Sequence, residues 1–200
     1  MIDGVIFDLD GTLVDSRLDF DLMRREMGLP AGLPILETIA QLPPEAAQRC
    51  QQILHRHEAD GAKRAVPLPG VLDFLAEITR RQLPSAILTR NSRAVAAAML
   101  AKLPHCFDPV ITRDEGPVKP NPWAIQAICR QWHVTPGQVV MIGDYWFDIA
   151  AGEAAGARTV LYGSSAQSET PHPAVVPGFH LPCFTQADEL WTWLDEAKSL

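Results

Sequence analysis

The stretch Val5-Ile6-Phe7-Asp8-Leu9-Asp10-Gly11-Thr12-Leu13-Val14-Asp15-Ser16 constrains this chain more than any other. Its Val, Ile and Phe predict a short buried strand. The strand then meets two acids, Asp8 and Asp10, followed by Gly11. A buried strand tolerates two carboxylates only at its end, and residues two apart on a strand share a face. Gly11 lets the backbone leave in a conformation other residues resist. Two carboxylates are thus expected at the carboxyl edge of a central strand, where open α/β sheets bind ligands. Such neighbours repel, so one keeps a proton or both need a cation. Asp8 is then a nucleophile or metal ligand, and Asp10 a general acid and base. Taken alone, two acids at this spacing fit a solvated strand end equally well.

The rest of the chain alternates strands and helices. Strands are predicted at Ser85–Thr89, Pro109–Thr112, Val139–Gly143, Arg158–Tyr162 and Phe179–Phe184. Helices are predicted at Val71–Gln82, Ser92–Leu103, Pro122–His133, Phe147–Ala155 and Ala187–Ala197, with a loop over Ser164–Gly178. This alternation predicts α/β architecture, a doubly wound parallel sheet of Rossmann-like form. Residues 16–66 break the pattern. They read as helices over Leu18–Met27, Ile35–Leu42 and Glu45–Gly61, with Pro44 suited to a first turn and no strand evident. Residues 1–15 and 67–200 are therefore expected to form the core, and residues 16–66 a small inserted helical cap.

The residues that could carry chemistry lie at the carboxyl edge of a predicted strand or in the loop beyond it. Thr89, Arg90 and Asn91 follow the second core strand, Lys119 precedes the Pro122 helix, and Asp144 and Asp148 follow Val139–Gly143. In a parallel sheet these edges converge on one crevice. Clustered carboxylates suit Mg²⁺, which prefers oxygen ligands and offsets repulsion between an anionic nucleophile and a phosphate. Thr89 and Lys119 can hold phosphate oxygens, and Asp8 can attack phosphorus to form an aspartyl-phosphate.

Composition limits the partners. The formal net charge of −7 disfavours nucleic acid and anionic membranes, and no apolar run approaches membrane-spanning length. The four cysteines are scattered, with no CxxC pair, and the N-terminus has no basic leader. A cytoplasmic location with reduced thiols is expected, as a monomer or weak homodimer acting on a small phosphorylated metabolite.

Asp8-Leu9-Asp10-Gly11-Thr12-Leu13-Val14-Asp15-Ser16 resembles the first motif of the haloacid dehalogenase superfamily of phosphatases. Thr89, Lys119 and Gly143-Asp144-Tyr145-Trp146-Phe147-Asp148 resemble its second, third and fourth motifs, in order. The resemblance spans roughly Met1 to Leu161 and is to the phosphoglycolate phosphatase-like members. It implies a phosphoric monoester hydrolase on a Rossmann-like core with a cap inserted after the first motif. By position it makes Asp8 the nucleophile and Asp10 the acid and base. It gives Mg²⁺ to Asp8, the Asp10 carbonyl and Asp144, with Asp148 supporting the metal's waters or Lys119. Thr89 and Lys119 bind phosphate, and Arg90 and Asn91 beside Thr89 are added to that set from their loop position.

Asp10 argues against halide displacement, since the dehalogenases lack an acid there. Two alternatives remain: a phosphosugar mutase of the same superfamily, and a receiver-like phosphoacceptor module. Thr12 stands where the mutases often have Val, and a receiver has no need of the insert or of Asp10. The insert is also shorter than the resemblance leads one to expect, so substrate identity does not carry over with the mechanism. Substrate choice is expected to reside in the insert and in Arg90, Asn91 and Trp146, with Trp146 at the site mouth. His55 and His57 lie two apart on a helix, do not share a face, and read as solvated surface.

Overall fold

A computed structural model describes residues 2–163 and 175–196 of the chain. Its centre is β1 (Gly4–Phe7), whose four residues are all buried. Val5 and Phe7 pack into one apolar cluster and Ile6 into another, as the period of two requires. β4 (Ser85–Leu88) and β6 (Val139–Gly143) flank it in parallel, pairing Ile6 with Ala86 and with Met141. They alternate in the same way, with Ile87, Val140 and Ile142 on one face and Ala86, Leu88 and Met141 on the other. β5 (Val110–Ile111) lies beyond β4, and β7 (Arg158–Tyr162) and β8 (Phe179–Leu181) lie beyond β6. The six parallel strands run β5-β4-β1-β6-β7-β8.

Helices cover both faces. α4 (Val71–Arg80), α5 (Arg93–Leu100) and α8 (Asp188–Glu196) contribute Phe74, Met99 and Leu190 to the first face. α6 (Trp123–Trp132) and α7 (Trp146–Ala155) contribute Ile128 and Ala151 to the second. This is the doubly wound Rossmann-like arrangement expected. The strand order reverses at β1, between β4 and β6. At such a switch point the connections part and leave a crevice beyond the carboxyl ends.

Between β2 (Val14–Asp15) and β3 (Val66–Pro67) lie α1 (Phe20–Met27), α2 (Ile35–Ala40) and α3 (Pro44–Arg64). They bury their own small core of Met23, Ile35, Ile39, Cys50 and Leu54. Asp19 caps α1 by accepting from the Leu22 N–H at 2.8 Å. α3 starts at Pro44, as its fixed φ favours. It runs one turn past Gly61, where the stop was expected. Gly61 is there for packing: an added Cβ would lie 3.0 Å from Leu18 Cδ2. β2 and β3 form a two-stranded antiparallel ribbon, pairing Val14 with Pro67 and Asp15 with Val66. The sequence reading placed no strand in this region. The ribbon joins the two ends of the helical segment where it leaves and re-enters the core.

The remaining differences lie at element ends; α5, for example, stops at Leu100 where Leu103 was expected. α1 begins two residues later than expected, at Phe20, and the strand expected over Phe179–Phe184 stops at Leu181. The loop expected over Ser164–Gly178 lies outside the described residues up to position 174, as does Ala197 at the end of the last helix. No helix among the described residues is long and apolar enough to cross a membrane.

Candidate active site

β1 ends at Phe7, so Asp8 is the first residue beyond the sheet and Asp10 lies on the turn that follows. Lys119 Nζ donates to Asp8 Oδ1 and to Asp148 Oδ1, each at 2.5 Å. All three of these residues are buried. Ligating oxygens of Asp8, Asp144 and Asp148 lie within 4.8 Å of one another. The ends of β1 and β6, with the loop between β5 and α6 that carries Lys119, thus bring four of the expected residues to one point.

Two glycines make this approach feasible. Gly11 has φ +88°, and a Cβ there would run into the Asp144 carboxylate. Gly143 closes β6 directly beneath Asp148, and a Cβ there would collide with that carboxyl group. Gly143→Ala is therefore expected to push Asp148 off Lys119 and lower catalytic efficiency by about tenfold or more, since misplacement of about 1 Å can cost 10²-fold. Steady-state kinetics beside a melting curve check this; full activity would mean that Asp148 need not sit there.

Other contacts fix the acids. Thr12 donates from Oγ1 to Asp144 Oδ1 at 3.2 Å. Asp148 Oδ2 accepts from the Tyr145 N–H at 3.1 Å, so both its oxygens have protein partners. Asp10 is not one of the three clustered acids but lines the same cleft. Its carboxylate accepts from the Ser16 N–H at 3.1 Å and the Ser16 hydroxyl at 2.6 Å. Ser16 thus orients the carboxylate expected as acid and base.

Burial sets the electrostatics. It pushes the Asp8 carboxyl up to about 7, with Lys119 opposing and Asp148 reinforcing. Burial raises Asp144 well above the ordinary carboxylate range, helped by the charges of Asp8 and Asp148. Burial also raises Asp10, against the two bonds from Ser16. Lys119 is pulled down by its burial, but Asp148 and Asp8 outweigh that and hold it above its ordinary value. One ammonium does not neutralise three carboxylates, and the donors are all hard oxygens. The cluster therefore fits a divalent hard cation.

A stability profile follows. Asp8, Asp10 and Asp144 all hold protons more tightly when folded than at the ordinary value of 3.8. Between that value and about 7 the folded state binds more protons than the unfolded one, so stability falls as pH rises. Glu26, Asp60, Glu77 and Glu115 are shifted the other way and add stability as pH rises through their ordinary values of 3.8 and 4.5, so the fall shows above that range; His105, lowered from 6.5 by burial, opposes it as a single group against three. Melting temperatures in EDTA are expected to drop between about pH 5 and 7.5, and Mg²⁺ to raise them most at the upper end. A profile that rises with pH, unmoved by Mg²⁺, would contradict this.

The phosphate-contact candidates separate. Thr89 is buried, and its hydroxyl oxygen accepts from the N–H and the Nδ2 of Asn91, both at 3.2 Å. Its own proton is left to donate. Arg90 faces the helical segment: its NH2 donates to both oxygens of Glu37 at 2.8 and 2.7 Å. Its NH1 reaches the Lys119 carbonyl at 2.5 Å, and the guanidinium lies 4.1 Å from the Phe147 ring centroid. Tyr145 and Phe147 line the cleft. Trp146, expected at the mouth, is the first residue of α7 and is not among the residues lining the cleft. His55 is exposed, and His57 lies 3.0 Å from Glu26 at the outer surface of α1 and α3.

Sequence reasoning missed Ser16, Glu37, Glu58 and Arg113. Arg113, just beyond β5, bonds both oxygens of buried Glu58 on α3, at 2.5 and 2.8 Å. No local signal marks such pairs, because their members are 53 and 55 residues apart. Glu58 and Arg113, with Asp8, Asp10, Thr89, Lys119, Asp144 and Asp148, line a cleft of about 1140 Å³.

The haloacid dehalogenase-like hydrolase family matches residues 5–162. A haloacid dehalogenase-like hydrolase domain-containing protein of Arabidopsis thaliana is 31% identical over 170 residues, covering 79% of this chain and 69% of that protein. A phosphoglycolate phosphatase of Cupriavidus necator is 32% identical over 183 residues, covering 79% of each. Among solved structures, a β-phosphoglucomutase of Clostridium difficile superposes with a TM-score of 0.79 at 16% identity, over 98% of this chain and 99% of that one, a likeness of fold. A doubly wound α/β enzyme with an acid cluster at its switch point is the class that fold and site define. The chain belongs to the haloacid dehalogenase-like hydrolases.

Proposed function

We propose that this hydrolase is a Mg²⁺-dependent phosphatase that cleaves a small phosphate monoester through an aspartyl-phosphate on Asp8. The observation that carries the proposal is the buried Asp8–Lys119–Asp148 array with Asp144 beside it and Asp10 two residues along the chain. Its relatives include a named phosphatase.

Asp8 and Asp144, with the Asp10 carbonyl, would hold the cation, while Asp148, with both oxygens already engaged, braces Lys119. Bound there, Mg²⁺ would supply positive charge that offsets repulsion between Asp8 and the phosphate. The Asp8 carboxylate oxygen attacks phosphorus, and the bond to the leaving oxygen breaks. Lys119 and the Thr89 hydroxyl donate to the phosphoryl oxygens, with Asn91 orienting Thr89. Burial favours the protonated form of Asp10, which delivers its proton to the departing alkoxide. Asp10, now ionised, takes a proton from the water that hydrolyses the phosphoenzyme. Ser16 holds it in place through both steps.

Residues 16–66 form the cap in this reading. Arg90–Glu37 and Arg113–Glu58 tie it to the core over the reacting groups. Exclusion of bulk water there strengthens each electrostatic contact.

Phosphate release from p-nitrophenyl phosphate tests the proposal. Release is expected with Mg²⁺ and is expected to vanish with EDTA. Full activity after metal removal would sink the metal assignment. A labelled phosphoryl group retained without release would point to a receiver-like module, and its transfer to a second sugar hydroxyl to a mutase.

A further inference from the structure

Resting on the phosphatase reading, we infer that the released alcohol carries no second negative charge and presents an apolar face to the cap. Besides Lys119, the cations lining the cleft among the described residues are Arg24, Arg90 and Arg113. Each is already matched. Arg24 donates to Asp21 at 3.0 Å and to the Leu33 carbonyl at 3.0 Å. Arg90 forms a two-pronged pair with Glu37, and Arg113 one with Glu58 plus a bond to the Arg90 carbonyl at 3.1 Å.

A substrate carboxylate or second phosphate entering beside them must displace a protein carboxylate. At Arg113 that would strand Glu58, whose side chain is only 5% exposed, as an unpaired buried charge. Asp19 also lines the cleft and adds negative charge there. Between its charged groups the helical segment also lines the cleft with carbon: Leu18, Ile35, Leu36 and Leu54 lie there, and Phe20 stands 51% exposed. Such a lining gains from covering carbon and offers a second anion no free donor.

Matched esters test this. 2-Hydroxyethyl phosphate and phosphoglycolate differ chiefly by a carboxylate, as do phenyl phosphate and 4-carboxyphenyl phosphate. The uncharged member of each pair is expected to have a kcat/KM at least about tenfold higher, and the phenyl ester to exceed the hydroxyethyl ester. Glu37→Gln, at a partly exposed position, frees Arg90 and is expected to narrow the gap within each pair. Equal values, or a preference for the carboxylated esters, would overturn the inference. So would a gap that Glu37→Gln leaves untouched. If no ester is hydrolysed, the phosphatase reading fails by itself. The charge preference is then read by calorimetry of the same four esters, and equal binding within the pairs overturns it.

Discussion

Asp8→Asn is expected to abolish phosphate release while leaving the fold intact. The amide keeps the shape of the side chain but lacks the anionic oxygen that must attack phosphorus. Removal of a nucleophile costs on the order of 10⁴-fold or more. The energetic cost to the metal-free fold is expected to be small, and of either sign. Burial already disfavours the charge on Asp8, which raises its carboxyl to about 7. Lys119 keeps Asp148 as partner in the variant. Activity loss with a preserved melting curve therefore separates chemistry from folding. Turnover close to that of the parent protein would show that another group attacks.

Asp10→Asn is expected to behave differently, although the two acids are only two residues apart. Asp8 and Lys119 remain in place, so the ester still binds and the nucleophile is intact. What disappears is the proton for the departing alkoxide and the base for the attacking water. Each contribution is worth about 10²–10⁴-fold. An acyl phosphate has a better leaving group and needs little help in the first step. With it, the variant is expected to form the phosphoenzyme and then stall. Steady-state rates on an alkyl ester beside a burst measurement on acetyl phosphate check this. Equal slowing on both substrates would mean that Asp10 does not protonate the leaving group.

The site was legible where its signals are local. Asp8 and Asp10 interrupt an apolar strand, and Gly143-Asp144 ends another, so period and punctuation located them along the chain. The parallel alternation then implied convergence, which the fold realises in the bonds from Lys119 to Asp8 and Asp148. Partners that meet only through the fold were not legible. The contact of Ser16 with Asp10 forms only when the turn after β1 folds back and sets its hydroxyl on that carboxylate. Glu37 and Glu58 carry no local signal; they acquire partners only when the helices settle over the core and meet Arg90 and Arg113. Arg90 was expected on phosphate because it follows Thr89; in the fold its long side chain turns toward Glu37 and Phe147. The ribbon of β2 and β3 is two residues per strand, too short for any alternation to register. At Trp146 the helix begins one residue earlier than expected, and Tyr145 and Phe147 take the cleft positions.

The central claim is a covalent phosphoenzyme on Asp8. Peptide mass mapping of acid-quenched Asp10→Asn, mixed with acetyl phosphate and Mg²⁺, tests it most directly. One phosphoryl group is expected, on the peptide holding Val5–Ser16 and localised to Asp8, and it is expected to be absent when EDTA replaces Mg²⁺. A phosphoryl group on any other residue, or an unmodified Asp8 peptide in quenched samples of both this variant and a turning-over parent protein, would contradict the account.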